Sequence, residues 1–338
     1  MEWTEESGQR TVPALRVALM GHRQFLLQEA QSDQVIRLNS LEREVASEWD
    51  SYQQSRYSRL SRWLPPLITD ALTASQQHSV DTDDGLHAQR LLASVYQLTT
   101  GFLTKVGETD LASLSATKGL SAAHASGNEL MIGSLYRSVA HALLAIGEYE
   151  QAVALTRVVS DRLQSGLGAA TPEYLSMYGT LQLVGVVAAA RQDNRTDATT
   201  FLAEAEESAQ RLGHDANYLW TAFGPTNVAI HRVSAAMEFG DVQVAIDLGP
   251  CIDTTGLPTE RQVRHAIETA RAFARWNRAE SALDTLLDAE FQAPEQVRYH
   301  RLSRILVQEM LRCPRPPSRA IELAARIGVH RTDPLDRP

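Results

Sequence analysis

The chain is short of the groups from which redox and metal centres are built. Cys251 and Cys313 are its only cysteines, too few for a disulfide framework or a four-thiolate zinc site, and neither C-x-x-C nor H-E-x-x-H occurs. Both are read as ordinary buried thiols of a cytoplasmic protein, and no metal or cofactor is expected. Long apolar runs are missing too. The longest, Leu181 to Ala190, is interrupted by Gln182 and Gly185 and reaches about half of the ~20 residues that a membrane span requires. The acidic start Met1-Glu2-Trp3-Thr4-Glu5-Glu6 lacks the positive n-region of a secretory signal, so neither membrane association nor export is expected. Positive charge is outweighed: 32 basic residues face 41 acidic ones, for a formal charge of −9. Holding nucleic acid phosphates against that balance takes a concentrated basic patch, so no direct nucleic acid binding by this chain is expected. Lys105 and Lys118 are the only lysines, as a high-GC coding bias toward arginine would produce. Finally, no phosphate-cradling glycine loop, nucleophile elbow or i,i+4 histidine pair occurs. No reaction can be assigned on that basis, and enzyme activity stays open.

Strand signals, meaning short β-branched runs with period-2 alternation and Asn-Gly or Asp-Gly turns, are close to absent, whereas apolar residues recur three and four apart over long windows. The pattern predicts an all-α fold. Leu130, Met131, Leu135, Val139, Leu143 and Leu144 form one such stripe, ending at Gly147, where a left-handed C-cap is expected. The helices come in pairs that repeat. Gly107, Gly147, Asp193, Gly240 and Asn277 each stand five residues before an alanine, respectively Ala112, Ala152, Ala198, Ala245 and Ala282. Arg315 with Ala320 is a weaker sixth case. The spacings of about 37 to 47 residues suit arrays of helical hairpins, in which a small residue lets the second helix approach the first. Residues 1–10 are expected to be disordered and 11–78 to form N-terminal helices. Within these, Thr11 to Gln28 pairs with Asp33 to Gln54, and a third helix is interrupted by Pro65-Pro66 before Leu67 to Gln77. A polar linker from Ser79 to Gly85 leads into a repeat array over 84–328, and 329–338 is a frayed tail.

The turn Gly147-Glu148-Tyr149-Glu150-Gln151-Ala152 resembles the helix A to helix B turn of a tetratricopeptide repeat, which implies a tetratricopeptide-like α-solenoid of helical hairpins with several lengthened repeats. A second resemblance rests on Leu219-Trp220-Thr221-Ala222-Phe223-Gly224-Pro225-Thr226-Asn227, followed by Gly240-Asp241, and on Gln89-Arg90-Leu91-Leu92-Ala93-Ser94-Val95-Tyr96-Gln97-Leu98. These strings resemble the C-terminal sensor region of actinobacterial Cro/C1-type (Xre) helix-turn-helix transcriptional regulators, and the likeness runs from about Val12 to Leu311. In that family a helix-turn-helix module of some sixty residues precedes the sensor region, and here Met1 falls near the linker that would follow it. The resemblance therefore implies a sensor region without its DNA reader, either trimmed or naturally lacking it.

By the tetratricopeptide pattern, the concave groove is lined by first-helix positions 13, 10, 6 and 3 residues before the turn. These are Ser134, Arg137, His141 and Leu144; Asn227, Ile230, Ser234 and Met237; and Arg264, Ile267, Arg271 and Ala274. Arg137 and His141, four apart, share a helix face on which an anionic or hydrogen-bonding ligand fits. Alternatively, Arg137 pairs with a nearby glutamate and His141 is a satisfied core histidine. Asn227 and His231 are also four apart and follow Trp220, Phe223 and the break Gly224-Pro225, which makes Thr226 the expected N-cap of the next helix. A free helix N-terminus beside two aromatics describes a polar-plus-apolar pocket, or else a packing knot between repeats. Tyr96, Tyr174, Tyr178 and Gln182 line the same groove or belong to the core. Glu204, Glu206 and Glu207 are read as a solvated face. The candidate ligand-binding set is Arg137, His141, Tyr178, Trp220, Phe223, Thr226, Asn227 and His231. Its expected occupant is a small molecule or a peptide, with a protein partner or a homodimer as a further possibility. The first functional reading is a ligand-binding sensor domain of a regulator-like protein. An enzyme of specialised metabolism on this scaffold and a protein-interaction scaffold are the alternatives.

Overall fold

The turn residues picked out by spacing share one backbone solution. Gly107, Gly147, Asp193, Gly240 and Asn277 all adopt the left-handed conformation, with φ of +83°, +85°, +56°, +76° and +57°. That geometry costs glycine nothing, and aspartate and asparagine tolerate it better than other residues. After each, the next N–H turns back to the carbonyl five residues earlier, as in Glu108 to Leu103, Glu148 to Leu143, Asn194 to Ala189, Asp241 to Ala236 and Arg278 to Phe273, at 2.8–3.0 Å. This Schellman closure satisfies carbonyls that the ending helix leaves without donors. Ala112, Ala152, Ala198, Ala245 and Ala282, with Ala320, are all buried, so close approach at these points accounts for the small side chain.

The computed structural model describes residues 5–20 and 35–331. Among the described residues the chain is all-helical: no strand forms, and an isolated bridge pairs Ala216 with Phe223. Three helices come first, α1 (Glu5–Met20), α2 (Leu38–Gln53) and α3 (Tyr57–Gln77). Five hairpins follow: α4 (Asp83–Lys105) with α5 (Thr109–Ala125), α6 (Glu129–Ile146) with α7 (Tyr149–Gln164), α8 (Pro172–Arg191) with α9 (Arg195–Leu212), α10 (Pro225–Glu238) with α11 (Val242–Leu248), and α12 (Thr259–Arg275) with α13 (Ala279–Gln292). The chain finishes with α14 (Pro294–Tyr299), α15 (Arg301–Leu311) and α16 (Ser318–Ile327). First helices of successive hairpins pack side by side in the order α4, α6, α8, α10, α12.

Several expectations are corrected. The segment 5–10, read as disordered, lies within α1. The pair expected over Thr11 to Gln28 and Asp33 to Gln54 is realised as α1 to Met20 and α2 from Leu38; residues 21–34 lie outside the described residues. Pro65 and Pro66 do not interrupt α3. They deprive two carbonyls of donors, but Leu60, Leu64, Leu67 and Ile68 are buried on both sides of them, and this packing holds the two segments in line. The hairpin α2–α3 uses the same left-handed turn, with Ser55 at φ +57° and Arg56 N–H bonded to the Ser51 carbonyl at 2.9 Å. Five residues on stands buried Leu60 rather than alanine, so the alanine pattern passes over it. Cys251 and Cys313 are exposed, not buried. Val329 is buried, so the tail is anchored at its start, and 332–338 lie outside the described residues. Among the described residues no helix is long and apolar enough to cross a membrane.

The two ends of the array meet. Helix α12 packs on α2, and α14 packs on α3. Ser55 Oγ donates to Gln296 Oε1 (2.5 Å), Gln296 Nε2 donates to the Glu260 carbonyl (2.9 Å), and Ser58 N–H donates to Glu295 Oε2 (2.8 Å). Lys105, at the end of α4, ion-pairs with Glu260 at the start of α12.

Candidate functional site

That junction is where side chains from five helices come within electrostatic reach of one another: Tyr52 on α2, Lys105 on α4, Arg137 and His141 on α6, His231 on α10, and Glu260, Arg261 and Arg264 on α12. Burial alone would raise the pKa of Glu260, but the Lys105 ammonium, its hydrogen bond and the Arg261 and Arg264 guanidinium groups outweigh it and hold the carboxyl at about 2. Burial pushes Lys105 down, and its bond to Glu260 opposes that. Arg137 is lowered to about 10 by burial and by Arg261, which leaves it charged at neutral pH. Burial and the Arg261 guanidinium bring His231 down to about 3; His141, whose side chain keeps an exposed face, is lowered by the desolvation of its inner face and by the Arg137, Arg261 and Lys105 cations. His231 Nδ1–H donates to the Asn227 carbonyl (2.8 Å), leaving Nε2 unprotonated and able to accept.

The charges do not balance. Lys105 and Arg261 share Glu260, Arg264 is held by Glu268 at 2.7 Å, and Arg271 by Glu238 at 2.9 Å. Arg137 makes no ion pair among the described residues, and its Nε is buried without a hydrogen-bond partner, as is Nε of Arg261. Asn227 is fully buried, with both amide atoms unpartnered. Unpaired buried donors cost about 1–3 kcal/mol each, more when charged, so native proteins seldom leave them together without a purpose.

The conspicuous Trp-Thr-Ala-Phe-Gly-Pro-Thr-Asn string is a strap between α9 and α10. Leu219, Trp220 and Ala222 adopt left-handed backbone conformations, at φ +52°, +59° and +50°, each costing about 1 kcal/mol or more. The strain is held by side-chain amides. Asn217 and Gln53 exchange hydrogen bonds of 2.9 and 2.7 Å, and Asn217 Oδ1 also accepts from the Ala222 N–H (3.1 Å). Trp220 stacks on Trp49 with centroids 5.9 Å apart and planes 2° from parallel. Trp49 in turn meets Tyr52 edge-on at 5.8 Å. The strap thus rests on α2, next to the tyrosine that Arg137 and Arg261 reach.

Of the residues proposed from sequence, Arg137, His141 and His231 come together, Asn227 lies one turn from His231, and Trp220 stands at the edge of the cluster. The others do different work. Phe223 is fully buried and its ring covers Gly179. Thr226 is not the N-cap: α10 starts at Pro225, and Asp215 Oδ1 accepts from the Thr226 N–H (3.0 Å), so that helix end is already occupied by a carboxylate. Tyr178 donates to Glu204 Oε2 (3.1 Å). It lines a cleft of about 230 Å³ between α7, α8 and α9; a second cleft, of about 280 Å³, lies beside Tyr136 and Tyr174. Neither contains Arg137 or His141. In the first cleft, pairing is internal: Arg157 with Asp197, Tyr178 with Glu204, and Gln182 with Ser160. Buried atoms without a hydrogen-bond partner also occur elsewhere, at Gln97, Ser176 and Ser303 among others, but the two guanidinium groups among them, Arg137 and Arg261, both belong to the interior cluster.

Sequence reasoning missed Tyr52, Lys105, Glu260 and Arg261. Glu260 and Arg261 precede their turn by more than the repeat pattern allows for. Lys105 carried the one available signal, being one of two lysines in a chain that otherwise uses arginine. Among the described residues, no group of three His, Cys, Asp or Glu side chains is arranged to hold a metal ion. No family model matches the chain, and no curated protein is found to be similar to it in sequence.

Proposed function

We propose that this chain is a tetratricopeptide-like α-solenoid acting as the ligand-binding sensor domain of a regulator-like protein, and that the ligand, a small molecule or short peptide, occupies the interior lined by Arg137, His141, Asn227 and His231. The observation that carries this reading is Arg137: a charged, part-buried guanidinium with no carboxylate partner among the described residues, beside two histidines, on the helix face that the repeat pattern turns inward. Stability alone would have supplied that cation with a counter-ion or replaced it. The Cro/C1-type resemblance supplies the regulatory role, and the string that carries it builds the strap beside the cluster. A thermal-shift screen of a metabolite and peptide library against the parent chain tests the reading. Hits that raise the melting temperature should lose their effect in Arg137→Ala and Asn227→Ala, whose own melting temperatures stay near the parent's. Hits unaffected by either substitution would place binding elsewhere.

A further inference from the structure

The ligand-binding reading leaves the ligand's chemistry open, and the charge arrangement of the same interior narrows it. Resting on that reading, we infer that the ligand carries an anionic group, a carboxylate or a phosphate, that binds between Arg137 of α6 and Arg261 of α12. Each of these guanidinium groups has a buried Nε without an acceptor. Among the described residues, the carboxylate within electrostatic reach of both, Glu260, is taken up by Lys105 and lies 3.9 Å from Arg261 Nη2. Glu268 and Glu238 are engaged by Arg264 and Arg271. Among the described residues, Lys105, Arg137 and Arg261 therefore face one carboxylate, and Arg137 and Arg261, the two guanidinium groups it leaves short of charge, sit on helices from different hairpins. A planar fork-shaped donor suits a carboxylate or phosphate oxygen pair better than a neutral amide. The neutral histidines add hydrogen-bonding capacity without further charge: His231 Nε2 accepts from a ligand donor, and His141, which is solvent-accessible within the cluster, flanks the anion. Because α12 also packs on α2, an anion held here ties the middle of the array to the contact between its ends.

The test uses the full chain with benzoate, inorganic phosphate and, as a neutral isostere of benzoate, benzamide, read by thermal shift and isothermal titration. Benzoate or phosphate should bind saturably, whichever does so identifying the group, and benzamide at least tenfold more weakly than benzoate. Arg137→Gln and Arg261→Gln should each weaken the anion at least tenfold, while Arg157→Gln, in the outer cleft, leaves it unchanged. Without ligand, Arg137→Gln should melt no lower than the parent, since it removes an uncompensated charge. Equal binding of benzamide and benzoate, dependent on Asn227, would overturn the anion while leaving the ligand-binding interior standing. Anion binding that survives both glutamine substitutions, no anion binding up to 50 mM, or a lower melting temperature in Arg137→Gln would each overturn the inference.

Discussion

Replacing Gly179 by alanine pits local helix preference against tertiary packing. Gly179 lies inside α8, where alanine is favoured over glycine by about 1 kcal/mol. A Cβ at that position would stand 1.9 Å from Cζ of Phe223 and 2.4 and 2.6 Å from its Cε atoms, whereas ordinary contact begins near 3.4 Å. The ring has nowhere to go: Phe223 is fully buried, its carbonyl accepts from the Ala216 N–H (2.9 Å), and Ala222 before it is already in a left-handed conformation. Overpacking of this kind costs about 1–3 kcal/mol, and the depth of overlap places it at the upper end, for a net destabilisation of about 2 kcal/mol. Urea unfolding followed by far-ultraviolet circular dichroism should show a lower midpoint with an unchanged slope. Tryptophan fluorescence should report loosening of the Trp49–Trp220 stack in the folded state, since displacing Phe223 pulls on the strap. Adding Phe223→Leu should recover at least 1 kcal/mol in a double-mutant cycle. A Gly179→Ala protein as stable as the parent would refute the claim that Phe223 is a peg locking the strap to α8.

Three other outcomes are expected. Ala152→Phe, at the fully buried contact of the α6–α7 hairpin, should cost about 1–3 kcal/mol in urea unfolding, and an unchanged midpoint would dissociate the alanine spacing from hairpin packing. Acid should destabilise in two steps. His231 is held neutral down to about 3 and the unfolded chain takes up its proton near 6.5, so stability falls as pH drops below 6.5, by up to ~1.4 kcal/mol per unit for this group. Glu260, depressed to about 2, contributes above its unfolded pKa and loses that contribution between about 4.5 and 2. His231→Gln should therefore reduce the slope between pH 6.5 and 5, the remainder coming from His141, His265 and His300, which are lowered likewise, and Glu260→Gln should reduce it below 4.5; identical profiles in parent and variants would show that neither group titrates as described. In mobility-shift titration at about 150 mM salt, the chain should give no sequence-specific complex up to micromolar concentration, where specific DNA-binding proteins typically reach ~10⁻⁸ M or better. A saturable, sequence-dependent shift would assign DNA contact to the N-terminal helices.

Local regularities were the legible part. The left-handed turns at Gly107, Gly147, Asp193, Gly240 and Asn277 are written in residue types that favour that conformation, and the alanine five on marks the closest approach, so helix pairing could be read without any tertiary information. The α2–α3 hairpin escaped because Ser55 and Leu60 reach the same geometry with other residues. Half of the site was legible for a related reason: Arg137, His141 and Arg264 are polar residues at the inward positions of the repeat pattern, and His231 follows the inward Asn227 by four residues. Lys105, Glu260 and Tyr52 were not, because their proximity depends on α12 returning to α2, a contact that no periodicity encodes. The Trp220–Phe223 string shows the opposite error. Its aromatics look like a pocket in sequence, yet in space Phe223 fills the groove over Gly179 and Trp220 lies flat on Trp49.

Anomalous diffraction from crystals soaked with 4-iodobenzoate bears on the interior cluster itself. The iodine peak should lie within the cluster, with the carboxylate against Arg137 and Arg261 and no protein carboxylate paired with Arg137. Arg137 ion-paired to a glutamate or aspartate of the chain, with no iodine in the interior, would contradict it.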